Sequence, residues 1–99
     1  MITTGTATAW EDYRYWVQND PNTVKKITQL INEIKVEPFK GLGKPEPLRG
    51  NLAGWWSRRI TGAHRLVYKV EGTTPNHRLT IIQARFHYSY ESPHPAEKV

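Results

Sequence analysis

The sequence predicts an α+β domain, with two helices leading and antiparallel strands following. Two changes along the chain carry that prediction. An apolar period close to 3.6 runs through the first third, and an alternation of period two replaces it after residue 54. Helices gathered at one end and strands at the other give a layer of helix on sheet rather than a β-α-β alternation. At 99 residues the chain holds one modest core and not two. Residues 1–88 are the expected domain, and the polar, proline-bearing segment 89–99 ("SYESPHPAEKV") reads as a disordered tail.

The first helix is expected to begin at Thr8. "TAWE" has the form of a capping box, with Thr8 as N-cap and Glu11 reaching back. Trp10, Tyr13, Trp16 and Val17 then fall on one stripe. "NDPN" closes this helix and opens the next, with Asp20 as N-cap and Pro21 at the first helical position. Val24, Ile27, Leu30, Ile31 and Ile34 form its apolar face, Lys25, Lys26 and Glu33 point elsewhere, and Pro38 stops it.

Residues 39–54, "FKGLGKPEPLRGNLAG", carry four glycines and two prolines and keep no period. A stretch of that length inside a small domain is usually functional or disordered. Leu42, Leu48 and Leu52 can anchor it, which favours an ordered functional loop. "WWSRRI" and "HRLVYKV" then flank "TGA", the short glycine-containing link of a hairpin. "EGTTPN" is a second turn. "HRLTIIQARFHY" is a third strand, with Leu79 and Ile81 on one face and Ile82, Ala84 and Phe86 on the other.

Composition removes several classes of function. Without cysteine there is no disulfide and no thiolate metal site, which suits the cytoplasm. No apolar run is long enough to span a membrane, and "MITTGTATAW" lacks the pattern of a signal peptide. No two histidines stand at helical ligand spacing, so neither a metal nor a cofactor is expected. No P-loop, GxGxxG or GxSxG occurs.

Net charge is +5, and its placement matters more than its size. Residues 40–70 contain Lys40, Lys44, Arg49, Arg58, Arg59, Arg65 and Lys69 against the single acid Glu46. Such a stretch suits a polyanion, although a solvated surface would look the same. Two details favour chemistry. With a three-residue link, Arg59 and Arg65 face each other across the hairpin, where like charges repel unless a phosphate lies between them. Glu46 stands between Pro45 and Pro47 in "KPEPL", a carboxylate on stiff backbone amid positive charge. Mere binding of phosphate has no use for it.

Glu46, Arg59, Arg65, His87 and Tyr88 fit metal-free cleavage of RNA. A base takes the 2′-hydroxyl proton, cations stabilise the phosphorane, and an acid protonates the departing 5′-oxygen. Glu46 is the base or orients the 2′-hydroxyl. Lys44, Arg49, Arg58 and Arg59 are candidate phosphate contacts. His64 should point to the face opposite Arg65 and is read as structural. Trp55 and Trp56 must lie on opposite faces, one of them available for stacking or for a dimer contact.

"KPEPL", "NL-G-WSRRIT", "HRLVY" and the closing Phe86-His87-Tyr88 resemble the YoeB/Txe toxins of the RelE superfamily, from about Trp10 to Tyr88. "DYRYW" and "VKKI" agree. The resemblance implies a small basic endoribonuclease, with helices on a twisted antiparallel sheet, that enters the A site of the 30S ribosomal subunit and cuts mRNA there. It assigns Glu46 as general base, Arg65 with Arg59 as phosphate stabilisers, His87 as general acid, and Tyr88 to positioning. It implies a YefM-like antitoxin, a toxin homodimer, and operator DNA bound only through the antitoxin complex. The chain departs from the pattern twice. "ITTGTATA" is threonine-rich where the family opens with an apolar strand, and eleven residues follow Tyr88. Two rival readings are a RelE-fold protein that blocks the ribosome by occupancy alone and a gyrase-directed toxin.

Overall fold

The computed structural model describes residues 2–73 and 76–87; Tyr88 and the segment 89–99 lie outside them. In chain order the elements are β1 (Ile2–Gly5), α1 (Ala7–Asn19), α2 (Pro21–Val36), β2 (Glu46–Pro47), a 3₁₀ turn (Gly50–Leu52), β3 (Trp56–Arg59), β4 (Arg65–Glu71) and β5 (Arg78–Gln83). Five strands form one sheet in the order β1-β5-β4-β3-β2. The α+β class is as expected. The sheet is mixed rather than wholly antiparallel, because β1 joins β5 in parallel.

That edge strand also explains where α1 begins. The Thr6 N–H donates to the carbonyl of Ile81 (3.1 Å), so the chain leaves the sheet at residue 6 and turns at once into helix. Thr6, not Thr8, is therefore the N-cap; its Oγ1 accepts from Ala9 N–H at 3.2 Å. The buried face of α1 shifts with it to Ala9, Asp12 and Trp16, leaving Trp10 56% and Val17 49% exposed. Asp20 ends α1 through its own N–H to the Trp16 carbonyl (2.8 Å) and caps α2 through its carboxylate, beside Pro21. On α2, Ile27, Leu30 and Ile34 are buried, with Val24 and Ile31 packed beside them, as their spacing predicts.

The helices cover one face of the sheet. Leu66, Tyr68, Leu79, Ile81 and Ala84 meet Ala9, Trp16, Ile27, Leu30 and Ile34 in the main core. On the other face a smaller cluster of Leu48, Leu52 and Val67, flanked by Trp55 and Ile82, pins the loop 48–55 against the strands. The two tryptophans divide between these layers: Trp56 packs on the main core and Trp55 on the smaller one. Of the three leucines expected to anchor the loop, Leu48 and Leu52 do so, whereas Leu42 is 40% exposed.

The third strand is shorter than its sequence pattern implies. The β4–β5 ladder slips at Val67/Tyr68, so Tyr68 pairs with Ile81 and Val67 with Gln83. Strand structure ends at Gln83. Ala84 joins the helix-side core rather than the opposite face, and Phe86 adopts φ = 65°. His87 thus sits beyond the strand in an irregular turn.

Candidate active site on the helix-free face

Glu46 lies on the outermost strand. Edge strands tolerate proline, so Pro45 and Pro47 can flank it without breaking a central ladder. The segment is also tied to β3 at both ends: Arg59 N–H donates to the Gly43 carbonyl (2.6 Å) and Leu48 N–H to the Trp55 carbonyl (2.9 Å). Glu46 pairs with Ser57, and Ser57 with Val67. The pleat therefore puts Glu46 on the helix-free face. It is exposed, and no ion pair forms to it among the described residues. Gly43 (φ = 82°) and Lys44 (φ = 50°) make the sharp turn into this strand; a Cβ at Gly43 would come within 3.1 Å of the Leu30 side chain and the Arg59 carbonyl.

Two residues further along β3 and β4, Arg59 and Arg65 pair directly. The register read from the three-residue link is the one observed. Arg59 is exposed, while Arg65 is 9% exposed with its Nη1 donating to the carbonyls of Thr61, Gly62 and His64 at 3.0–3.1 Å. These bonds fix the plane of the guanidinium in the hairpin turn. Its Nε and Nη2 have no bond within the described residues and remain available for a phosphate.

Arg58 is not a phosphate contact. The alternation of β3 turns it toward the helices, where it is fully buried. Its Nε donates to Tyr68 Oη (3.1 Å), its Nη1 to Glu33 (3.5 Å) and the Leu42 carbonyl (3.0 Å), and its Nη2 to the carbonyls of Glu37 (2.6 Å) and Lys40 (2.9 Å). Every donor is engaged. Glu33 likewise does not point away from the fold, for it also accepts from Leu42 N–H at 2.6 Å. The pair anchors residues 37–42 to α2 and β3. Lys44 and Arg49 are exposed, one on each side of Glu46 in the chain.

His87 is delivered to the same end of the sheet by the turn 84–87. Arg65 N–H donates to the Phe86 carbonyl (2.9 Å), which brings the histidine's backbone beside the arginine's. From α1, Asp12 Oδ2 accepts from Ala84 N–H (2.9 Å) and Trp16 Nε1 donates to the Ala84 carbonyl (2.8 Å). Gln83, fully buried, donates its Nε2 to the carbonyls of Arg85, Phe86 and His87 at 2.9–3.0 Å. Phe86 N–H donates to His64 Nδ1 at 2.8 Å. Burial, followed by the charges of Arg85 and Arg65, holds the His64 pKa below the usual histidine range and favours the neutral ring that this bond requires. His64, just before β4, also packs edge-on against Trp16 at 4.8 Å, on the helix side and opposite Arg65.

Of the residues singled out in the sequence, the structure places Glu46, Arg59 and Arg65 on one face and the His87 backbone beside Arg65; the residues that hold the turn were not among them. A visible signal existed for two of them. Asp12 and Gln83 are polar residues on faces that are otherwise core. Tyr88 lies outside the described residues. Among those described, no group of three His, Asp or Glu side chains is placed to hold a metal ion, and no helix is long and apolar enough to cross a membrane.

Residues 6–88 match the family model of the YoeB-like toxin of bacterial type II toxin-antitoxin systems. A toxin YoeB of Streptomyces coelicolor is 51% identical over 88 residues, covering 89% of this chain and all of that protein. A solved YoeB/ParE toxin from Agrobacterium tumefaciens superposes with a TM-score of 0.87 at 52% identity, over 89% of this chain and all of that one. YoeB of Staphylococcus aureus superposes with TM-scores of 0.80 as a dimer, at 42% identity, and 0.78 in a heterotetrameric complex with YefM, at 43%; each covers 89% of this chain and 98% of the other. With a family model spanning most of its length and relatives at half identity, this chain belongs to the YoeB-like toxins of bacterial type II toxin-antitoxin systems.

Proposed function

We propose that the chain is a metal-independent endoribonuclease that cuts mRNA in the ribosomal A site and so stops translation in the cytoplasm. The observation that carries the proposal is a stiffly held carboxylate, Glu46, on the same sheet face as Arg59 and Arg65, with the His87 backbone brought in beside that of Arg65. Glu46 removes or orients the 2′-hydroxyl proton. The 2′-oxygen attacks phosphorus, and the P–O5′ bond breaks as His87, as imidazolium, gives its proton to the leaving oxygen. Arg65, through Nε and Nη2, and the exposed Arg59 offset the charge that builds on the phosphorane. The products are a 2′,3′-cyclic phosphate and a 5′-hydroxyl. Tyr88 helps position the substrate or the acid.

The S. aureus relatives, solved as a dimer and with YefM, support a homodimer and a YefM-like antitoxin as partners here. Operator DNA is reached only through that complex. Primer extension on mRNA bound to programmed ribosomes tests the activity. A new 3′ end within the A-site codon, bearing a cyclic phosphate, is the expected result. Intact message under conditions where translation stops would instead favour block by occupancy.

A further inference from the structure

The turn 84–87 is held by several bonds, and among the described residues only one of its partners there is a histidine. We propose that His64 is a positioning residue for His87: its neutral imidazole, accepting the Phe86 amide proton at Nδ1, keeps the turn in the one conformation that presents His87 beside Arg65. The inference rests on the reading of His87 as general acid and adds to it what fixes that acid in place and what can release it.

Phe86 is where the turn departs from ordinary backbone. Its φ of 65° is left-handed, and a bulky residue stays there only when its surroundings enforce it. Its carbonyl is held by the Arg65 amide and Gln83 Nε2, and its N–H by His64. A carbonyl or amide partner works at any ordinary pH. An imidazole accepts only while Nδ1 lacks a proton; once protonated it sets one N–H against another and the bond becomes a repulsion. The charges that act on the ring are those of Arg85 in the turn and Arg65 on β4; His87 follows in the same turn, and the Asp12 carboxylate on α1 is engaged by Ala84 N–H. Burial opposes protonation most, and the charges of Arg85 and then Arg65 add to it. The device is therefore closed at neutral pH and opens on acidification below the ordinary histidine range.

The test uses the full chain in ribosome-programmed cleavage under single turnover, with ¹H–¹⁵N spectra alongside. Asparagine places an amide oxygen close to where Nδ1 lies, so His64→Asn keeps an acceptor, whereas His64→Leu has none. His64→Leu should lower the maximal rate about tenfold to a hundredfold, the upper range for one part-buried hydrogen bond, with apparent substrate affinity little changed. His64→Asn should recover most of that loss and lack the acid limb that His64 adds to the wild-type pH profile. The Phe86 amide resonance should move with the His64 titration in the wild type and stay still in His64→Asn. Wild-type rates in His64→Leu, or a Phe86 amide indifferent to the His64 titration, would overturn the proposal. If His64→Leu does not fold, the pH profile of His64→Asn decides alone, an unchanged acid limb counting against. His87→Gln separates the two layers: a fully active His87→Gln sinks the general-acid reading, while a titrating Phe86 amide would still show His64 holding the turn.

Discussion

Arg59 and Arg65 occupy the same rung of the β3–β4 ladder, yet one is exposed and the other 9% exposed with an Nη1 capping three carbonyls. Two cations facing each other weaken a hairpin. Arg59→Gln should therefore leave the melting temperature unchanged or raise it, while cleavage falls tenfold or more. A thermal melt and a cleavage assay on the same preparation check both parts; a lower melting temperature would show that the pair does not repel.

Neighbouring arginines should behave in opposite ways. Arg58 is fully buried and makes bonds to Glu33, Tyr68 and three carbonyls. Removing one member of a buried, hydrogen-bonded pair leaves its partners desolvated, so Arg58→Met should cost about 3–5 kcal/mol in urea unfolding. Whatever activity is lost should return at lower temperature, where the fold is intact.

Glu46→Gln tests the chemistry with little risk to the fold, because the side chain is exposed and no ion pair to it exists among the described residues. Cleavage should drop about 10²–10⁴-fold with an unchanged melt. A loss much smaller than this would leave the carboxylate an orienting role only.

Gln83→Leu removes the donor shared by the carbonyls of Arg85, Phe86 and His87. The Phe86 carbonyl keeps the Arg65 amide, so the loss falls on the part-buried bonds to Arg85 and His87, at about 0.5–1.5 kcal/mol each, and should be local. Amide exchange should quicken at 84–87 and not in α2, and cleavage should fall further than stability alone explains.

At alkaline pH the buried Tyr68 hydroxyl becomes the sensitive group. Burial raises its pKa and the neighbouring Arg58 opposes that rise only in part. The folded value lies above the unfolded one, near 10. Tyr68 therefore adds nothing to the pH dependence below about 10, and stability declines as pH rises from there through the folded value. Tyr68→Phe should lower stability at neutral pH, since the bond to the Pro38 carbonyl (2.7 Å) is lost, and should remove this part of the alkaline slope.

What the sequence disclosed and what it withheld divide along physical lines. α2 was legible because its cap, its N1 proline and its apolar period all lie within sixteen residues. The Arg59–Arg65 register followed from a turn length, again a local quantity. Arg58 and Arg59 could not be told apart locally: alternation sends them to opposite faces, but which face the helices cover is a tertiary fact. The start of α1 was misplaced for the same reason, since the bond of Thr6 to Ile81 belongs to a strand pairing that a run of threonines hardly announces. At the site, the groups that would touch substrate were visible as chemistry. Asp12 and Gln83, which hold the turn, show only as polar residues on core faces; that signal marks them as unusual but not what they bind, Asp12 because its partner lies 72 residues away and Gln83 because its partners are backbone carbonyls.

The bonds of Asp12 and Trp16 to Ala84 span 72 and 68 residues of sequence. During synthesis, then, the first helix is made long before the turn it must clasp, and the clasp can close only once the residues after the last strand have been made. A nascent chain can carry Glu46, Arg59 and Arg65 in finished hairpins and still leave His87 undirected. On the proposed mechanism, a copy whose Ala84 has not yet docked on α1 lacks a directed acid and should not cut.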